Sequence, residues 1–269
     1  MEHTALILLT IALYLLAGLG FSFRLLRADD GTMMLRPAAL GLGTLAVLGH
    51  AVILYSHTLA PEGLNLGFFN AGSLVGWLMA ILVLLAAIRM PIENLAVVIM
   101  PVGAVALALA AAFAPAAAMA GRVPAGLEAH ILSSVLAFSV LSIAMIQAMV
   151  LAYQDHNLRN RRPGGLVRML PPLQVMEDML FQMLTLGFLL LSVALVSGVL
   201  FLDDIFAQHL VHKTILSIAA WLVFATLLYG RWRYGWRGRT AIRWTLGGFL
   251  ALLLAYFGTK LVLELILQR

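Results

Sequence analysis

Five of the seven histidines in this chain gather toward one end of its apolar segments, and imidazole is the side chain that would bring ligand or acid–base chemistry there. His130 stands a few residues into one apolar run. His50 and His57 share another, spaced so that they fall on one helical face with Cα atoms ~10 Å apart at the helical rise. His209 and His212 occupy a short connector feeding a later run, while His3 and His156 read as solvated. An ionisable group inside lipid is costly and ordinarily faces the bundle interior, where it has a task or a partner. The competing reading of each histidine is a neutral imidazole bonded to a backbone carbonyl or a serine.

The types available around these imidazoles narrow the chemistry. With no cysteine there are no disulfides, thiolate metal sites, iron–sulfur clusters or cysteine nucleophiles. Zinc would have to draw on Glu62, Glu128, Asp203 and Asp204 to complete a tetrahedral set. Haem suits the composition better, because it needs one or two axial imidazoles, an apolar slot, aromatic walls and a cation for its propionates. Trp77, Phe138 and Trp221 are candidate walls, with Phe68 and Phe69 nearer the surface, where the ordinary interfacial aromatic belt also explains them. Lys213 and Arg122 are the cations placed for propionates. His130 and His50, from different segments at compatible depth, form the best axial pair; His50 and His57 point the same way and cannot easily flank one iron.

Other constellations carry less. Asn70-Ala71-Gly72-Ser73-Leu74 reads as a helix cap with small residues for close packing. Glu177-Asp178 and Asp203-Asp204 read as helix caps or stops, and Lys260 with Glu264 as a pair one turn apart. Ser73 lacks a nearby base and oxyanion hole, so hydrolase chemistry is not indicated. No phosphate-binding or dinucleotide fingerprint occurs, and no basic stripe is interleaved with stacking aromatics, which excludes nucleic acid as a partner.

The elements that must position these residues are set by composition. Of 269 residues, 63% are hydrophobic and 11% charged; soluble domains run near 45–50% and 25%. Eight apolar runs are long enough to cross a bilayer of ~30 Å: 5–23, 38–58, 70–88, 94–113, 128–153, 176–202, 212–230 and 241–266. The expected fold is an all-α polytopic bundle. Arg89-Met90-Pro91-Ile92-Glu93 must form a very tight hairpin between the third and fourth spans. Of the 17 basic residues, 13 fall in alternate connectors, at Arg24, Arg27, Arg36, Arg89, Arg159, Arg161, Arg162, Arg168, Arg231, Arg233, Arg237, Arg239 and Arg243. Basic loops stay in the cytoplasm, so both termini are expected outside. The first run lacks a basic flank and a cleavage motif and reads as a retained span. The chain reads as one membrane domain, 1–269, with the polar linker 154–175 as the point where it would divide five spans from three. Ala114–Ala120 is expected to lie flat at the outer interface. The arginine-rich block from Arg231 to Arg239 reads as an ordinary positive-inside loop with aromatic anchors, with contact to anionic lipid headgroups as the alternative.

The order of motifs resembles a known family. Ser197-Gly198-Val199, His212-Lys213-Thr214, Ala219-Ala220-Trp221-Leu222, Tyr229-Gly230-Arg231, Gly235-Trp236-Arg237-Gly238 and Tyr256-Phe257-Gly258 look like the cytochrome c assembly family of membrane haem handlers (CcsA, CcmC and CcmF). His130-Ile131-Leu132-Ser133 with Phe138-Ser139 is similar to that family's membrane histidine and the stretch after it. Gly49-His50-Ala51 and Asn70–Leu74 resemble more narrowly its YpjD-like branch. The resemblance implies a multi-pass protein of the bacterial inner membrane that keeps haem near the outer face for cytochrome c-type biogenesis. Its partners would be haem itself, membrane lipids, and apocytochrome c or other haem-maturation proteins. Under it His130 is a membrane histidine ligand, and Lys213 falls where the family has a lysine. With His50, His212 and Trp221 these are the residues expected to bind haem, His130 and His50 meeting the metal. The chain departs from the family in two places: residues 199–212 hold no tryptophan where the family has a tryptophan-rich outer motif, and the family's terminal histidine is absent.

Three readings of function follow. The first is haem handling, which requires no bond making by the protein and so no enzyme. The second is a structural or regulatory membrane partner that keeps the fold without a haem site. The third, a transporter, is permitted by eight spans but has no broken helices in paired positions to favour it.

Overall fold

A proline pushes the residue before it out of the helical region, and Met90, which precedes Pro91, is extended at φ −120°, ψ 148°. That ends one helix, and Glu93 begins the next, which is the tight hairpin expected here. The computed structural model describes residues 2–27, 35–60, 63–64, 66–90, 92–113, 119–120, 125–160, 164, 167, 169–201 and 211–258. Eight helices occur among them: α1 (Glu2–Leu26), α2 (Leu35–Thr58), α3 (Phe68–Arg89), α4 (Glu93–Ala112), α5 (Ala125–Arg159), α6 (Leu173–Phe201), α7 (Val211–Tyr234) and α8 (Arg239–Leu253), the last continuing as a π-helical turn, Leu254–Gly258. Each is long and apolar enough to cross a membrane, counting α8 with its continuation. Exposed Leu48, Val52, Leu85, Leu132 and Leu222 are what a lipid-solvated bundle presents.

The chain forms two compact units, Met1–Arg122 with Arg168–Leu170, and Val123–Val167 with Pro171–Arg269. In the first, α1 packs against α2 and α4, and α3 against α2 and α4. At the end away from the α3–α4 hairpin, three two-residue strands pair antiparallel in the order β1 (Leu59–Ala60), β2 (Gly63–Leu64), β3 (Met119–Ala120). Met119–Ala120, expected to lie along the interface, thus belongs to a strand; residues 114–118 lie outside the described residues. At the hairpin end Glu93 accepts from Arg24 of α1 and lies 3.1 Å from Arg36 Nε of α2, while Arg36 also donates to the Ala87 carbonyl. One carboxylate therefore ties three helices.

In the second unit α5 packs on α6 and α8, and α7 on α6 and α8. Two thirds of the apolar window of α5 is enclosed (67%), against 17% for α7, so α5 is the central helix and α7 a lipid-facing one. The polar side chains of α5 bond within the unit: Ser139 and Ser142 donate back to carbonyls one turn earlier, Gln147 donates to the Met176 carbonyl and Gln154 to that of Pro171, while the amide oxygens of both glutamines are buried without a partner. Gly235 (φ +66°) closes α7 in the left-handed cap that glycine favours, its amide donating to the Arg231 carbonyl.

Candidate functional site

His130 is the sixth residue of α5 and half-buried. Its Nδ1 lies 2.9 Å from the Ala194 carbonyl oxygen and 3.3 Å from Ser197 Oγ, both on α6. The Ser197 hydroxyl donates to the same Ala194 carbonyl at 3.0 Å, so its proton is committed and its oxygen faces the imidazole as an acceptor. Two acceptors at Nδ1 require the proton on that nitrogen. The lone pair of the neutral ring then sits on Nε2. A metal-ligating histidine is oriented in this way, by donating its other N–H to a carbonyl or carboxylate. Gly198 makes the approach possible, since a Cβ there would stand 3.1 Å from His130 Cε1.

One to two turns earlier, α6 receives a second aromatic. Trp221 of α7 stacks on Phe188 with centroids 5.3 Å apart and donates from Nε1 to Ser192 Oγ at 2.8 Å. Ser192 in turn donates to the Phe188 carbonyl, so the hydroxyl oxygen satisfies the indole N–H and its proton is satisfied within α6. Phe138, two turns along α5 from His130, joins Phe249, Tyr256 and Phe257 in an aromatic cluster with centroids 5.4–5.8 Å from its own. Tyr256 and Phe257 belong to the π-helical turn, a distortion frequent at functional positions. His212 and Lys213 stand in the first turn of α7, exposed and half-buried respectively. α5 and α7 are separated by the single span α6, so their N-termini share one end of this unit. His130, His212, Lys213 and Trp221 are thus residues of one unit.

His50 belongs to the first unit and is differently placed. It is fully buried on α2, with Nδ1 3.1 Å from the Tyr14 hydroxyl of α1 and Nε2 2.8 Å from Ser73 Oγ of α3. Tyr14 also meets the ring edge-on. Both nitrogens are therefore in hydrogen bonds, whichever carries the proton. The expected cap at 70–74 is something else: α3 begins at Phe68 without a side-chain cap, Ser73 serves His50, and Asn70 Nδ2 is buried without a partner. Trp77 donates to the Val47 carbonyl, and Phe69 stacks on Phe113. The side chains of His57 and His3, and residues Arg122, Asp203, Asp204, His209, Lys260 and Glu264, lie outside the described residues. Among the described residues no three histidines or carboxylates gather as a metal-holding group.

The expectation that Glu177-Asp178 caps α6 is overturned. α6 starts at Leu173, and Glu177 is buried in its second turn, accepting from Arg237 Nε at 3.1 Å and from the Gly238 amide at 2.8 Å. Asp178 pairs with Arg231, whose guanidinium also lies 4.6 Å over the Phe181 ring. These carboxylates hold the α7–α8 connector. The basic segment beyond the next helix was the available signal, read in sequence as a cytoplasmic loop or a headgroup contact.

A family model described as cytochrome c assembly protein matches residues 40–267. Inner membrane protein YpjD of Escherichia coli (strain K12) is 31% identical over 233 residues, 86% of this chain and 88% of that one. A 28.8 kDa protein of the nifR3-like 5′ region of Azospirillum brasilense is 34% identical over 165 residues, 60% of this chain and 61% of that one. Cytochrome c biogenesis protein CcsA of Prochlorococcus marinus (strain NATL1A) is 28% identical over 89 residues, 32% of this chain and 28% of that one. No solved structure gives a significant match.

Proposed function

This chain belongs to the cytochrome c assembly protein family, and we propose that it holds haem near the outer face of the membrane as an accessory to cytochrome c-type biogenesis. It is a multi-pass protein of the bacterial inner membrane. The observation that carries the proposal is the bond from His130 Nδ1 to the Ala194 carbonyl, which leaves Nε2 with the lone pair that iron requires. The neighbouring residues suit the rest of a porphyrin: Trp221 and Phe188 as a flat apolar wall, Lys213 as a counter-charge for a propionate. Haem is cargo in this reading, passed on to apocytochrome c or another maturation protein, and the chain makes and breaks no covalent bond. His50 would serve as the second axial ligand only by giving up Tyr14 or Ser73. His212, at the same end of the second unit as His130, has no such cost.

The test is an absorption spectrum, oxidised and dithionite-reduced, of protein purified in mild detergent from haem-replete cells. A Soret band near one haem per chain, lost or shifted in His130→Ala, is expected. A protein folded by circular dichroism yet colourless after haem titration would overturn the proposal.

A second reading is favoured by His50, whose saturated bonding is what a purely structural histidine shows. Here the chain keeps the family fold as a structural or regulatory membrane partner without haem. Both histidine substitutions would then lower abundance and leave no spectral change, and co-purification would reveal the partner.

A further inference from the structure

A cavity of about 460 Å³ lies at the arginine-rich end of the second unit, with Asp155 and Arg159 of α5, Glu177 of α6, Arg237 of the α7–α8 connector, and Arg239 and Thr240 at the start of α8 among its walls. The haem reading makes no use of it. Three guanidiniums here meet two carboxylates, and every carboxylate oxygen is already taken. Asp155 Oδ1 accepts from Arg159 Nε at 3.0 Å and Oδ2 from Arg239 Nε at 3.2 Å. Glu177 Oε2 accepts from Arg237 Nε and Oε1 from the Gly238 amide.

Each arginine thus pairs through Nε alone, and its terminal nitrogens stand outside these pairs. A two-point fork would have used at least one more nitrogen of each. Exposure follows the same division: the carboxylates are tucked in, at 17% and 9%, and the guanidiniums of Arg159, Arg237 and Arg239 stand out at 57%, 48% and 54%. The acids form a floor that fixes the arginine stems, and the excess positive charge is left at the rim.

We propose that this cavity binds a phosphate-bearing group, held by the terminal nitrogens of Arg159, Arg237 and Arg239 with the Thr240 hydroxyl. Arginine at all three positions suits planar, two-point recognition of phosphate oxygens, which lysine does not provide. Phosphate oxygens diverge tetrahedrally and can accept from donors on several sides, whereas the two oxygens of a carboxylate lie in one plane. The group has two possible sources, a phospholipid headgroup or free phosphate, with the same chemistry at the cavity.

The experiment uses the delipidated full chain in a maltoside detergent, titrated separately with phosphatidylglycerol in mixed micelles and with inorganic phosphate. Arg159→Gln/Arg239→Gln is expected to weaken binding about tenfold or more, the loss of charge-assisted forks. Arg233→Gln, exposed and outside the cavity, is expected to leave it unchanged. Because the double variant also breaks ion pairs, Thr240→Glu is the deciding one: it keeps every pair, adds a negative charge to the wall, and is expected to expel the phosphate. Loss confined to phosphatidylglycerol identifies the headgroup as the source, and loss confined to inorganic phosphate identifies the free ion. Wild-type affinity retained in Thr240→Glu, or no binding of either probe by the wild type, would overturn the proposal.

Discussion

His130 and Ala194 are joined across 2.9 Å by a ring nitrogen and a main-chain oxygen. No substitution at 194 removes that acceptor, so the relationship is tested by displacing the ring. Gly198 is the lever, because a Cβ there would sit 3.1 Å from His130 Cε1. Gly198→Val is expected to rotate the imidazole off the carbonyl and lower the haem-to-protein ratio about tenfold, the usual effect of losing a partner that orients a ligand. Gly198→Ala asks for a shift of only a few tenths of an ångström and should lower it less. The pyridine haemochrome assay gives the ratio, and full pigment in Gly198→Val would show that the carbonyl does not orient the ligand.

The Tyr14–His50–Ser73 chain is predicted to act through stability alone. His50→Ala leaves a buried phenol and a buried hydroxyl without their partner and opens a cavity, for about 3 kcal/mol. Tyr14→Phe removes one bond and should cost about 1–2 kcal/mol. Detergent-denaturation midpoints measure both. The Soret band of whatever folded His50→Ala protein remains should match wild type; a shifted band would make His50 an iron ligand after all.

The spans were legible because nothing but a membrane helix accounts for runs of that length and hydrophobicity, and the α3–α4 hairpin was legible because Pro91 dictates the backbone of Met90. His130 and His50 stood out as costly imidazoles. What they do was not legible. The partner that fixes the tautomer of His130 is a main-chain oxygen 64 residues away, and every residue has one. His50 is held by Tyr14 and by Ser73, of which Ser73 reads locally as a capping residue. Two-residue strands have no periodicity to detect, so β1–β3 left no trace. Glu177 misled because acidic residues near a helix start ordinarily serve the dipole, and only the fold brings Arg237 to it.

Glu177 and Gly238 are predicted to be the weak points of the α7–α8 connector. Glu177→Ala leaves the Gly238 amide without its acceptor and a gap beside it, while water still reaches the Arg237 guanidinium, for about 1–2 kcal/mol. Gly238 sits at φ 55°, ψ −127°, a region that L side chains rarely occupy, so Gly238→Ala should cost about 1–3 kcal/mol although its side chain is small. Arg233→Gln, on the same segment but exposed, should be neutral within about 0.5 kcal/mol. A melt of Gly238→Ala equal to wild type would mean that the connector tolerates another path.

Orientation decides which compartment His130 serves. With 13 of 17 basic residues in alternate connectors, the insertion rule puts Gly164 inside the cell and Glu128, two residues before His130, outside. The chain has no cysteine, so single-cysteine variants need no altered background. Gly164 is exposed and an added Cβ meets nothing within 4 Å; Glu128 is exposed in the first turn of α5. Both replacements should therefore be structurally silent. A membrane-impermeant maleimide added to intact spheroplasts is expected to label Glu128→Cys and spare Gly164→Cys, and permeabilisation should make both react. The opposite pattern would put His130 at the cytoplasmic face, and haem handling at the outer face would fail with it, whatever the spectrum shows.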